Sequence, residues 1–222
     1  MRKFLIFSIL IFCLNITFAQ KDTLRYKNGL TFSLHRPFNW FFPGVEISYE
    51  RFYNKYSTQV SGTYLVQLFY PLTGINITNY KGYRLGLEQK YFFFNNKHVR
   101  PYGAINIEYG SASYTTDEEF WDDYNADSLD YKYSYWDTYD ATDQRIIFNI
   151  KGGVQFKFNH FLIGFSAGGG LAIVTTKHYN RKNPEDEMVM PKDIVVSSLN
   201  RVERDKERMQ NFTLNIKVGY LF

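Results

Sequence analysis

From Phe212 to Phe222 the chain alternates without a break. The even positions are all apolar or aromatic, and the odd positions are Thr213, Asn215, Lys217, Gly219 and Leu221. Successive side chains on a strand point to opposite faces, so this segment reads as a strand with one apolar and one mostly polar face. The pattern recurs at Ile146, Phe148, Ile150, Val154, Phe156 and Phe158, and again at Phe161, Ile163, Phe165, Ala167, Leu171 and Ile173. Asn159 and His160 separate those two runs. Apolar parity is even before them and odd after them, as a two-residue hairpin loop requires if both apolar faces are to stay on one side. Five shorter alternations, around Leu30–Leu34, Val45–Glu50, Gln59–Leu68, Tyr83–Phe93 and Val99–Tyr109, bring the expected strands to eight.

The connections alternate in length. Short turns are expected near Asn54, Asn96 and Asn159. Longer segments run from Phe69 to Asn79, Ser113 to Asp143 and Lys177 to Met209, and Arg36 to Gly44 is intermediate. Short turns at one end and long loops at the other describe an up-and-down transmembrane barrel. Alternation alone does not say which face is the core, because a soluble barrel turns its apolar face inward. Two features favour lipid. Ionisable residues such as Glu88, Lys151 and Lys217 sit at mid-strand on the polar face. The apolar rows are capped by aromatics, as in Tyr91-Phe92-Phe93-Phe94, Phe156 with Phe158, and Tyr220 with Phe222. Membrane barrels carry such girdles at both interfaces.

The first 19 residues read as a cleaved secretory signal: Arg2 and Lys3, an apolar run from Phe4 to Leu14, then Thr17-Phe18-Ala19 before Gln20. The run is too short for a membrane-spanning helix. Phe12 before Cys13 does not suit a lipidation signal. Residues 20–222 then form one barrel domain. The only cysteine leaves with the signal, which excludes disulfide and thiol chemistry from the remainder. Loss of Arg2 and Lys3 leaves 24 basic against 22 acidic residues, a balance that gives no reason to expect nucleic-acid binding. Aromatic residues are 19% of the whole chain, and mean hydropathy is −0.36, which argues against a bundle of membrane helices.

In this layout the chain resembles the small eight-stranded outer-membrane barrels of Gram-negative bacteria, the group that includes the OmpA transmembrane domain. The most specific element is the strand from Phe212 to Phe222, where Phe212, Tyr220 and Phe222 resemble that family's C-terminal assembly signal. The resemblance implies an all-β, antiparallel up-and-down barrel in the outer membrane, with both termini periplasmic. It also implies contact with outer-membrane lipid and recognition by the barrel-assembly machinery.

The candidate site is the lumen. Glu46, Glu50, Arg84, Glu88, Lys90, Arg100, Glu108, Lys151 and Lys217 are expected to face inward. An eight-stranded interior is only wide enough for side chains to fill it. Charges confined there must pair, so a plugging ion-pair network is favoured over a gated pore or proton path. With the turn between the fourth and fifth expected strands centred on Asn96, Arg84 is expected opposite Glu108. The segment from Asp117 to Asp143 carries ten acids against Lys132 alone, interleaved with aromatics such as Phe120, Trp121, Tyr135, Trp136 and Tyr139. It is expected to be a solvated hairpin extension, with an extracellular ligand as the functional alternative. Asp123-Tyr-Asn125-Ala-Asp127 resembles the start of a calcium loop but lacks the glycine at position six and the acid at twelve. Arg201 to Arg208 is read as a mobile loop or a short charged helix. No catalytic residue, metal or cofactor is expected, since His35, His98, His160 and His178 sit in no recognisable motif. The alternatives are a lipid-acting barrel enzyme with a rim histidine (His35 or His178) and a secreted lipocalin-like carrier.

Overall fold

The computed structural model describes residues 26–34, 44–66, 77–94, 98–122, 133–183 and 207–222. The leader, His35, the Asp123–Asp127 motif and most of the last long connection lie outside the described residues. Eight strands follow one another: β1 (Asn28–Ser33), β2 (Gly44–Tyr53), β3 (Tyr56–Val66), β4 (Ile77–Phe92), β5 (Val99–Asp122), β6 (Tyr133–Phe158), β7 (Phe161–Tyr179) and β8 (Glu207–Leu221). Each pairs antiparallel with the next, and β8 returns to β1, so the sheet closes on itself. The seam pairs Leu30 with Tyr220 and Phe32 with Val218. It is finished by Asn28 N–H to Phe222 O at 3.0 Å, Phe222 N–H to Asn28 O at 2.9 Å and Leu34 N–H to Ile216 O at 2.8 Å.

The register fixes the bore. A path straight across the ladder from Leu30 runs through Tyr49, Val60, Leu87, Ile107, Phe148 and Leu171 to Gln210. Gln210 lies ten residues from Tyr220, the residue that faces Leu30 across the seam. Eight strands with that stagger tilt by about 40° and set the backbone radius at ~8 Å. Side chains reaching inward from such a wall meet at the axis.

The wall is apolar outside and polar within. Ile150 is 73% exposed and Phe212 83%, whereas Glu50 and Arg100 are 0% exposed. Tyr56 and Tyr91 pack at 5.2 Å, and Phe161 and Tyr220 at 6.1 Å, in a ring belt at the turn end. Tyr83 and Tyr109 pack at 6.3 Å at the opposite margin. This polarity is the reverse of the apolar lumen a lipocalin-like carrier needs.

Several strand boundaries differ from the sequence reading. β4 begins at Ile77, β8 begins at Glu207, and β5 and β6 run through most of the segment read as a loop, to Asp122 and from Tyr133. Glu207 and Arg208 are therefore strand residues and not part of a helix. Outward residues of β5 turn polar beyond Tyr109, at Ser111, Ser113, Thr115 and Asp117. The β5–β6 ribbon thus projects from the apolar band by roughly 30 Å. The triple glycine marks a close approach: a Cβ on Gly168 or Gly170 would run into the β6 backbone.

The Asn159-His160 turn is the tight hairpin expected, with Phe158 facing Phe161. Asn159 has a φ of 50°, in the left-handed region that Asn tolerates better than other non-glycine residues. Asn159→Ala should therefore lower stability by about 1–2 kcal/mol while Asn159→Gly changes it little. The urea midpoint of the detergent-folded protein is the measurement, and equal midpoints for Ala and Gly would contradict the turn geometry.

Candidate functional site

Eight of the nine charges assigned to the lumen from parity are buried, and the Lys217 side chain is 12% exposed. Six form one chain of alternating sign. Lys90 Nζ lies 3.0 Å from Glu50 and 3.5 Å from Glu88. Lys151 Nζ lies 2.9 Å from Glu88 and 3.8 Å from Glu108, and Arg84 reaches Glu108 at 3.3 Å. A second pair, Lys217 with Glu46, meets at 3.0 Å across the seam. Four carboxylates thus face four cations.

Neutral side chains complete the coordination, and the sequence reading missed them. Ser57 Oγ donates to Glu50 at 2.5 Å, and Gln155 Nε2 donates to both oxygens of the same carboxylate, at 3.2 and 3.0 Å. Lys90 also donates to Gln59 at 2.7 Å. Ser48 and Thr63 each reach Glu46 at 3.4 Å. An amide relay runs from Asn211 to Asn149 at 2.7 Å and from Asn149 to Asn106 at 3.2 Å. These residues share the inward parity of the charges, which was the available signal.

Arg100 reaches the β2–β3 turn. It donates to the Asn54 carbonyl at 2.7 Å, and its guanidinium lies 3.7 Å from the centre of the Phe92 ring. Lys157 sits 3.7 Å over Phe52 in the same way. With Tyr102, Ala104, Leu162 and Leu221, these rings form an apolar cap across the turn end of the lumen. The interior is therefore not polar throughout. Ring faces attract cations, which lets Arg100 and Lys157 sit beside aromatic side chains at the barrel end.

A second cluster lines the inner face of the projecting ribbon. Phe120, Tyr139 and Ala141 are buried, with Tyr114 and Tyr135 packed on them. Tyr139 donates to Glu118 at 2.8 Å, His178 lies against the Tyr139 ring at 5.0 Å, and Arg181 lies 4.5 Å over Phe120. Burial pushes the Glu118 carboxyl up from its ordinary 4.5 to about 7, opposed by the Tyr139 hydrogen bond and the Arg181 charge.

The expected pairing of Arg84 opposite Glu108 needs correction. Arg84 faces Gly110, and Glu108 faces Gly86, so the β4–β5 register is shifted by one pair. The salt bridge forms along the diagonal. At the other end of the chain Phe212, Tyr220 and Phe222 all point outward from β8, at 83%, 49% and 52% exposure. Among the described residues no group of three or more His, Cys, Asp or Glu side chains is placed to hold a metal.

No family model and no curated protein matches the chain. Among solved structures it is similar to the N-terminal β-barrel domain of Pseudomonas aeruginosa OprF. The identity is 14% and the TM-score 0.36, over 89% of this chain and 98% of that one. The fold described above rests on the closed ladder and its register.

Two outcomes follow from this geometry. Removing one partner of a buried pair should cost about 3–5 kcal/mol, because it leaves a charge uncompensated. Arg84→Met should therefore destabilise more than Arg84→Met combined with Glu108→Leu, and a double-mutant cycle without coupling would contradict the pairing. At the ribbon, the folded state holds the Glu118 proton more tightly than the unfolded state does. Its stabilising contribution is full below about pH 4.5 and is lost as pH rises to about 7. Hydrogen-exchange protection of residues 117–120 and 137–140 should fall between pH 5 and pH 8, and Glu118→Gln should flatten that dependence.

Proposed function

We propose that this chain is an integral outer-membrane barrel of structural or surface-interaction type, with a lumen plugged by charge pairs and no catalytic role. The carrying observation is the inside-out wall around an interior where six charges close into one chain. An apolar exterior of this extent is incompatible with water, and a lumen with a backbone radius of ~8 Å filled by paired side chains leaves no continuous aqueous path. The N-terminal 19 residues serve as an export signal. Both termini lie on the periplasmic side with the short turns, and the β5–β6 ribbon projects outward from the cell. The outward row Phe212, Tyr220 and Phe222 is read by the barrel-assembly machinery. The acidic, aromatic ribbon is the surface for an extracellular ligand.

The experiment is reconstitution. Unboiled protein should run at a different mobility from boiled protein on a denaturing gel, because a closed wall has no edge for detergent to invade. Vesicles carrying the folded barrel should resist sugar-driven swelling as empty vesicles do. Swelling at rates well above empty vesicles would overturn the plug, and full solubility in plain buffer would overturn the membrane assignment. Deleting Phe222 should lower the amount reaching the outer membrane, and unchanged membrane levels would remove the assembly role.

A further inference from the structure

We infer that the outer wall binds one anionic glycerophospholipid of the leaflet at the turn end, in a site built across the β7–β8–β1–β2 surface. This rests on the reading that the apolar exterior faces lipid. The site has an apolar half and a cationic half, stacked along the strands in the order a phospholipid requires.

The apolar half is a groove of about 590 Å³ lined by Leu30, Phe32, Ile47, Ile163, Val218 and Tyr220, among others. It lies where the seam brings β8 against β1. One margin is rigid. Tyr220 stacks on His160 at 5.3 Å and meets Phe161 edge-on at 6.1 Å. His160 Nδ1 donates to the Leu221 carbonyl at 3.2 Å, so its Nε2 accepts from the Tyr26 hydroxyl at 3.1 Å. Such a fixed slot in an otherwise lipid-covered wall fits an acyl chain.

The cationic half sits one outward row nearer the turns, where Arg51 faces Asn28. Arg51 has the outward parity of Ile47 and Tyr49. Its Nη1 donates to Asn28 Oδ1 at 2.7 Å, and the Tyr49 hydroxyl donates to the same oxygen at 2.7 Å. These two bonds orient the guanidinium. No carboxylate among the described residues pairs with Arg51, in contrast to the cations of the lumen network. An outward arginine is costly at the bilayer midplane and nearly free at the interface, so the interfacial row tolerates it. A guanidinium fork matches phosphate geometry, and the flanking Tyr49 and Tyr220 occupy the depth where membrane proteins place amphipathic rings. A phosphate on Arg51 and Asn28 leaves the acyl chain to run down the groove from Leu30 to Val218.

The test uses the full chain folded in mild detergent, titrated with phosphatidylglycerol or phosphatidylcholine and read by native mass spectrometry. One phosphatidylglycerol should be retained about tenfold more tightly than phosphatidylcholine, the worth of one charge-assisted contact. Arg51→Gln should abolish that preference, and Arg51→Lys should restore part of it. Val218→Trp, or Ile47→Trp where the first does not fold, should reduce retention of both lipids by filling the groove. Absence of the preference in the unaltered chain, its persistence in Arg51→Gln, or undiminished binding in the tryptophan variants would each overturn the site. The unboiled gel shift is recorded in parallel. Its loss in the unaltered chain overturns the membrane-barrel reading, whereas a normal shift without lipid preference overturns the lipid site alone.

Discussion

In hydrocarbon, a backbone N–H or C=O without a partner costs several kcal/mol, and no water is present to supply one. A sheet meets that constraint only when its last strand returns to its first. Here the return is the β8–β1 seam, completed by the paired bonds between Asn28 and Phe222. Closure with a ten-residue stagger leaves no freedom in the radius. The radius decides what the interior can be: a bore of this size holds side chains, and ionised side chains held there must find one another.

The pairs are weak evidence for stability, since buried ion pairs often do no better than apolar side chains of the same volume. Their placement suggests a different benefit. Lys151 on β6 reaches Glu88 on β4, Gln155 on β6 reaches Glu50 on β2, and Lys217 on β8 reaches Glu46 on β2. Each contact spans strands that are not neighbours in the ladder. A one-residue slip of β4 or β8 would turn its charges toward lipid and break a bond across the lumen. The network therefore discriminates between registers that backbone hydrogen bonding alone would accept.

Face assignment was legible in the sequence because period two decides it residue by residue. Glu46, Arg100 and Lys217 could be placed inward without knowledge of any partner. Partner choice was not legible, because distance across a lumen has no counterpart in sequence spacing. The β4–β5 register missed by one pair because the turn was centred on Asn96, whereas facing positions such as Leu85 and Tyr109 centre one residue later. The length of the β5–β6 ribbon was hidden for a physical reason. Alternation is visible only where one face is apolar, and beyond Tyr109 both faces carry polar groups. The remaining signal was the alternation of Tyr114, Glu118 and Phe120 on β5 with Tyr135, Tyr139 and Ala141 on β6, which marks an inner face buried away from lipid.

A two-stranded ribbon is marginal in water on its own, so the projecting hairpin needs a third element across it. The residues after β7 supply one. Arg181 covers Phe120, the Lys182 N–H donates to Asp137 at 2.9 Å, and Asn180 donates to Asp140 at 3.0 Å. Thr115 also donates to Asp140 at 2.8 Å, while Asp143 takes Arg145 at 2.8 Å and Thr176 at 2.7 Å. Four acids that made this segment look like a cation or ligand surface, Glu118, Asp137, Asp140 and Asp143, thus already act as acceptors within the fold. Acidity there is in part the chemistry of a strapped ribbon. A ligand reading has to rest on exposed groups such as Trp136, which is 65% exposed.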